Sequence, residues 1–166
     1  MATHADFEDF YRSELPRLVA LARALCGPAM ADDVAQEAML AAYRKWGRVS
    51  DLRYPAGWVR RVCANLAVSQ YRRRMIELRA LTRAASRPDA VTLEAGAEEF
   101  WAAVHHLPSR QAQAVALRYV YELTISEIAQ TLEISEGSVK QHLSRARARL
   151  AHELHLGAHE VEEAEQ

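Results

Sequence analysis

The sequence predicts an all-α protein of two small helical domains joined by a flexible linker, and three observations predict it. Apolar residues recur at three- and four-residue steps in each organised stretch. That periodicity decays between Met75 and Gly96, where Ala, Ser, Arg, Pro and Gly follow in mixed order. Leu123 to Leu150, LTISEIAQTLEISEGSVKQHLSRARARL, reads as two short helices joined by a tight turn, the second one basic.

Composition bounds the rest. With 166 residues, 50% hydrophobic and 26% charged, the chain suffices for one good core or two small ones, and two fit the break in periodicity better. The formal net charge of -1 argues against a nucleic-acid partner when taken whole, but the charges are sorted. From Trp58 to Arg87, Arg60, Arg61, Arg72, Arg73, Arg74, Arg79, Arg83 and Arg87 face only Glu77. Cys26 and Cys63 have no metal spacing, and Cys63 falls on an apolar stripe, so reduced thiols and a cytoplasmic location are expected. No segment is apolar enough for membrane insertion, and MATHADFEDF carries acids where a secretory leader is basic.

In chain order, Asp6 is expected to cap a helix carrying Phe7, Phe10 and Tyr11, and Pro16 to open the next, with Leu18, Leu21, Ala22 and Leu25 as its stripe. Gly27-Pro28 stops it. A helix from Asp32 to Trp46 follows, with Val34, Ala35, Ala38, Ala42 and Trp46 inward and Asp32, Asp33, Gln36, Glu37, Arg44 and Lys45 outward. Such a charged face is either solvated or a docking surface. Gly47 to Pro55 reads as a polar loop, and Pro55 to about Arg74 as a long helix burying Trp58, Val59, Val62, Cys63 and Leu66. Arg61, Asn65, Ser69, Arg72, Arg73 and Arg74 form its polar, basic row. Trp58 and Tyr71 read as core and rim aromatics rather than base-stacking platforms.

After the linker, a helix from Glu98 to Leu107 carries Phe100, Trp101 and Val104; Pro108 restarts the chain, and Val115, Ala116, Tyr119 and Val120 support the helix pair. In that pair Thr124 and Glu127 form a capping box with Leu123 stapled onto Ile128, and Ser135 caps the second helix with Ile134 against Val139. Val139, Leu143, Ala146 and Leu150 face inward, leaving Lys140, Gln141, Ser144, Arg145 and Ala148 outside, with Arg147 and Arg149 adding charge. Cations for phosphates and Gln or Arg forks for base edges are what a DNA major groove requires. The bland counterpart is an antiparallel helix pair with solvated arginines.

Past Leu150 the chain turns acidic. His152, His155 and His159 could share a face, but Gly157 intervenes and no cysteine helps, so a solvated tail is expected and no metal. His105-His106 reads as local structure rather than a catalytic pair, and no phosphate loop, nucleophile elbow or paired-carboxylate constellation stands out, so neither an enzyme nor a cofactor is expected.

The order of DDVAQEAMLAAYRKW, GWVRRVCANLAVSQYRRR and LPSRQAQAVALRYVYELTISEIAQTLEISEGSVKQHLSRARARL resembles a bacterial sigma factor of the sigma-70 class in its short extracytoplasmic-function form. The resemblance covers Phe7 to about Leu154. It implies region 2 over 6–75, a linker over 76–97, region 4 over 98–154 and an acidic tail over 155–166 outside the shared pattern. It also implies that Asp32, Asp33, Gln36, Glu37 and Arg44 dock on the clamp helices of core RNA polymerase, with the flap as a second contact. The Gly47–Pro55 loop would then capture an unstacked minus-10 base, and Arg61, Asn65, Ser69, Arg72, Arg73 and Arg74 would lie on the minus-10 helix. Lys140, Gln141, Ser144 and Arg145 would meet minus-35 DNA, flanked by Arg147 and Arg149. Promoter DNA and an anti-sigma factor are the other partners implied. Glu133 departs from the pattern, since the family usually places Gly in that turn, where a left-handed non-Gly residue costs about a kcal/mol. The alternative is a stand-alone helix-turn-helix regulator that dimerises and binds a palindromic duplex site.

Overall fold

The computed structural model describes residues 4–82 and 95–164, and within them the chain forms eight helices. The first is α1 (His4–Cys26), which runs straight through Pro16. Pro16 was expected to open a new helix and Asp6 to cap the first; instead Pro16 lies inside α1 and Asp6 in its first turn. An interior proline costs about 3 kcal/mol. Leu18, Leu21 and Leu25 behind it are each almost wholly buried and worth about 2 kcal/mol apiece, while Pro16 itself is exposed, so the lost hydrogen bond falls on the water side.

Gly27, at φ 81, breaks the chain, and its N–H still bonds the Arg23 carbonyl at 2.9 Å. Pro28 then supplies the first turn of α2 (Pro28–Arg44), which begins earlier than Asp32 because proline is pre-set for that position. Val34, Ala35, Ala38 and Ala42 are buried as expected. The expected Gly47–Pro55 loop contains one helical turn, α3 (Trp46–Val49), held by the buried Val49 and by Phe10 and Phe7 rings 4.9 and 5.1 Å from Trp46.

The long helix α4 (Pro55–Thr82) outruns the expected end at Arg74 and takes in the first part of the expected linker. IELRALT lacks Gly and Pro, so nothing in it stops the helix. Of the rest of the expected linker, Arg83 and Arg87 fall on 83–94, outside the described residues, while 95–97 belong to the first turn of the next helix.

Helices α5 (Ala95–His105), α6 (Ser109–Val120), α7 (Ile125–Leu132) and α8 (Glu136–Ala164) form the second half. Tyr119, expected among the supports, is 59% exposed, with its ring 5.7 Å from Phe100. Helix α8 carries through Gly157 to Ala164, so the expected tail has helical backbone; the His155 and His159 side chains lie outside the described residues.

The two halves share one continuous buried cluster. Helix α1 packs on α2 and α4 and also on α5 and α6, and α4 packs on α6 and α7. The expectation of two separate small cores is corrected to two helical units pressed together.

Candidate nucleic-acid and partner interfaces

The helix pair is built as its sequence dictates. Thr124 Oγ1 accepts from Glu127 N–H at 3.2 Å, and Glu127 Oε2 accepts from Thr124 N–H at 2.8 Å. This reciprocal box satisfies donors at the start of α7. Those hydrogen bonds, first from the Thr124 backbone and then from its hydroxyl, hold the Glu127 carboxyl below the usual carboxylate range. Glu133 closes α7 in the left-handed conformation, φ 54, and Ile134 N–H bonds the Ala129 carbonyl at 3.1 Å, satisfying an orphan carbonyl of the last turn. Ser135 then caps α8 through Ser138 N–H at 3.1 Å.

On α8 the periodicity reading holds residue by residue: Val139, Ala146 and Leu150 are buried and Leu143 half-buried. Lys140, Gln141, Ser144, Arg145, Ala148, Arg147 and Arg149 are exposed. A basic, acid-free outer surface from Lys140 to Arg149 is therefore presented whole.

The α4 row divides in two. Asn65, Ser69, Arg72, Arg73 and Arg74 are exposed. Arg61 is only 19% exposed and is ion-paired to Glu133 of the helix-helix turn. Asn65 Oδ1 accepts from Gln113 Nε2 at 2.9 Å, although Gln113 belongs to α6 and is itself buried. Arg61 holds the Glu133 carboxyl below its usual range, by hydrogen bond first and charge second.

Beside Arg61 a cleft of about 160 Å³ opens between the segment leading into α4 and the face of α7. Leu52, Tyr54, Trp58 and Arg61 form one wall, Thr131 and Glu133 the other. Gly57 is required here: a Cβ on it would sit 2.2 Å from the Tyr54 ring. With that ring laid on the start of α4, Arg60 lies over it at 5.6 Å.

Arg60 is the centre of a constellation the sequence reading missed. Its Nη2 and Nε reach Glu14 Oε1 and Oε2 at 2.6 and 3.1 Å, and its guanidinium stacks 4.2 Å from the Tyr121 ring centroid. Arg17 covers the same ring at 4.6 Å and donates to the Tyr121 carbonyl at 3.2 Å. The Tyr121 O–H donates to Glu14 Oε2 at 3.3 Å. Burial, the largest influence on Arg60, opposes its charge, but Glu14 together with Tyr54 and Tyr121 outweighs it and the proton is held more tightly. A signal was present: Arg60, Cys63, Ala64 and Ala67 share one helical stripe, so this arginine sits on the buried side of the basic run.

The α2 face is exposed at Asp32, Asp33, Gln36, Glu37 and Arg44. Two of these are anchored within their own unit, Gln36 by the Tyr11 hydroxyl at 3.1 Å and Glu37 by Gln70 Nε2 at 3.0 Å. No group of His, Cys, Asp and Glu capable of holding a metal occurs among the described residues, and no helix there is long and apolar enough to cross a membrane.

Comparison with known proteins bears on what these faces are for. Family models for Sigma-70 region 2 and for Sigma-70, region 4 match residues 10–75 and 97–150. The RNA polymerase sigma-E factor of Streptomyces coelicolor is 31% identical over 152 residues, covering 90% of this chain and 86% of its own. The ECF RNA polymerase sigma factor SigM of Mycobacterium tuberculosis is 31% identical over 153 residues, covering 87% and 75%. In fold the chain is similar to the sigma factor RpoE from Bartonella quintana, solved in complex with the anti-sigma factor NepR, with TM-score 0.70, 24% identity and coverage of 90% and 96%. It is likewise similar to CnrH in complex with the cytosolic domain of CnrY, with TM-score 0.66, 21% identity and coverage of 93% and 91%. The chain belongs to the sigma-70 class of bacterial RNA polymerase sigma factors, in the extracytoplasmic-function group.

Proposed function

We propose that this chain is a promoter-specificity subunit of the cytoplasm, with no reaction of its own, which joins core RNA polymerase and directs initiation at promoters carrying its minus-10 and minus-35 elements. In this reading the α2 face, with Asp32, Asp33, Gln36, Glu37 and Arg44, docks on the polymerase clamp helices. Lys140, Gln141, Ser144 and Arg145 of α8 read duplex minus-35 DNA, with Arg147 and Arg149 on flanking phosphates. Arg61, Asn65, Ser69 and Arg72 to Arg74 hold the opened minus-10 strand, and the cleft beside Tyr54 and Trp58 takes an unstacked base. The working units are region 2 over 6–75, extended along α4 to Thr82, and region 4 over 98–154. An anti-sigma factor that covers either unit silences both, because each binds weakly alone and tightly only through its tether on the polymerase.

The observation that carries the reading is the sorting of charge onto separate exposed faces: acids on α2, arginines at 72–74 of α4, and the acid-free surface of α8. Run-off transcription with purified core enzyme on a pool of genomic fragments tests it. Transcripts that start at a shared sequence pair and require this chain support it; RNA synthesis no better than that of core enzyme alone overturns it. A gel shift with and without core polymerase separates it from a self-sufficient dimeric regulator, which would bind tightly unaided.

A further inference from the structure

His142 stands between the outer and the buried sides of α8, half-buried and three residues before Arg145. Its Nδ1 is buried without a hydrogen-bond partner, so nothing inside the fold holds a proton on that side of the ring. Helix α6 packs against α8 and brings Arg110, from its own first turn, to bear on the same imidazole. Arg145 acts on it from within α8, and among the described residues of the packed elements no acid does. Arg110 is exposed and donates through Nη1 to Gln113 Oε1 at 3.2 Å. That bond steadies the guanidinium and leaves the rest of its fork for an acceptor outside the chain.

The result is a knot of positive charge on the α6 flank of α8 with an imidazole in its middle. Burial is the largest influence on that imidazole and lowers its proton affinity below the ordinary 6.5, with Arg110 and then Arg145 adding to the lowering. An anion seated between Arg110 and the ring reverses the last two, because it offsets both guanidinium charges and favours the imidazolium directly. The anion that meets α8 in the function proposed above is the DNA backbone, and the inference rests on that reading. With Lys140, Gln141, Ser144 and Arg145 turned to the groove, a phosphate on its edge falls to the α6 side, where Arg110 is the exposed cation.

We propose that Arg110 and His142 seat one backbone phosphate beside the minus-35 bases, and that His142 takes up a proton from solvent as the phosphate arrives. Promoter binding is thereby coupled to acidity at the reading helix itself. The complex holds more protons than its separate parts, so affinity rises as pH falls from the bound to the free proton affinity of His142, the latter lying below 6.5. Arg145 keeps its base contact, while Arg110 and His142 add register without sequence preference.

Equilibrium binding of the holoenzyme, core polymerase with the full chain, to a labelled promoter fragment from the run-off pool tests this. Binding is followed at constant ionic strength from mildly alkaline pH down to about pH 6, the range in which histidine titrates. Circular dichroism over the same range establishes that each variant is folded. His142→Gln, neutral throughout, should lose the coupled proton. The ratio of wild-type to variant affinity should then grow by about threefold or more as pH falls, within the roughly tenfold per pH unit that one proton permits. Titration of the core enzyme's own groups cancels in that ratio. Arg110→Ala should weaken binding equally on every promoter variant and reduce the slope of log affinity against log salt by about 0.9, the share of one phosphate. A ratio that stays flat with pH, or an Arg110→Ala chain with the wild-type salt slope, overturns the proposal. Holoenzyme that binds no fragment and makes no transcript sinks the proposed function and the phosphate seat with it. Holoenzyme that transcribes while both variants match the wild type leaves that function standing and removes the seat alone.

Discussion

Arg60 Nη2 lies 2.6 Å from Glu14 Oε1, with side chains only 9% and 12% exposed, making this an enclosed ion pair that joins α4 to α1 beneath Tyr121. Removing one partner leaves the other charge buried and uncompensated, which costs about 3 to 5 kcal/mol. Glu14→Ala should lower the unfolding free energy from urea titration by that order and move the midpoint down, whereas Glu14→Leu with Arg60→Met should recover most of the loss. Equal midpoints for the single and double variants would mean that the apolar packing of Tyr121, and not the charge pair, stabilises this corner.

Arg145 stands on the exposed side of α8, two turns into the helix and clear of the core. Arg145→Ala should cost about 1 to 3 kcal/mol and relax preference at one minus-35 position, the signature of a base contact. Measured over a panel of promoter variants, an equal loss on all of them would assign it to a phosphate.

Asp33 is exposed on α2, while Gln36 and Glu37 beside it are already bonded to Tyr11 and Gln70. Asp33→Arg should therefore weaken binding to core polymerase without unsettling the fold, and should leave the α8 surface as it was. A pull-down with core enzyme and a thermal melt separate the two effects, and unchanged affinity would remove Asp33 from the docking surface.

What the sequence conveys here is local. Caps and turn residues specify the starts of α7 and α8 almost atom by atom, because Thr124, Glu127 and Ser135 act within three residues of themselves. Pro16 and the end of α4 misled because local propensity was overruled, at Pro16 by buried leucines behind an exposed ring and at Arg74 by a following stretch with nothing to stop it. The Arg60 constellation and the contact between the two units were illegible for a different reason. They join residues such as Glu14 and Tyr121, 107 positions apart, and no spacing rule encodes that distance. Glu133 shows both sides: it stood out as a departure from the family's usual Gly and keeps the left-handed turn all the same, while its partner Arg61 was not readable.

Cys26 and Cys63 are free and buried, and burial pushes their thiols up to about 11 and about 12. The thiolate is the reactive form, so both should resist iodoacetamide at neutral pH in the folded chain and react promptly in denaturant. Mass spectrometry counts the adducts. Fast labelling of either thiol under native conditions would show that α1 and α4 part on the timescale of the assay.

His105 links acidity to the contact between the two units. Its Nε2 meets the Ala24 carbonyl at 2.8 Å, near the end of α1, and its ring lies 4.5 Å from that of Tyr71. Burial is the largest influence and lowers its proton affinity below the ordinary 6.5, the Ala24 carbonyl opposes that, and His106 adds to the lowering. The unfolded chain then binds more protons than the folded one at mildly acid pH. Stability is full above pH 6.5 and falls as pH drops below it, until the folded imidazole itself becomes charged. His142, lowered by burial and then by Arg110 and Arg145, adds a loss of the same sign. His105→Gln should therefore flatten part of the decline in urea stability below pH 6.5 and leave the His142 share in place. A variant with the full wild-type slope would place the acid sensitivity entirely on α8, away from the contact between α5 and α1.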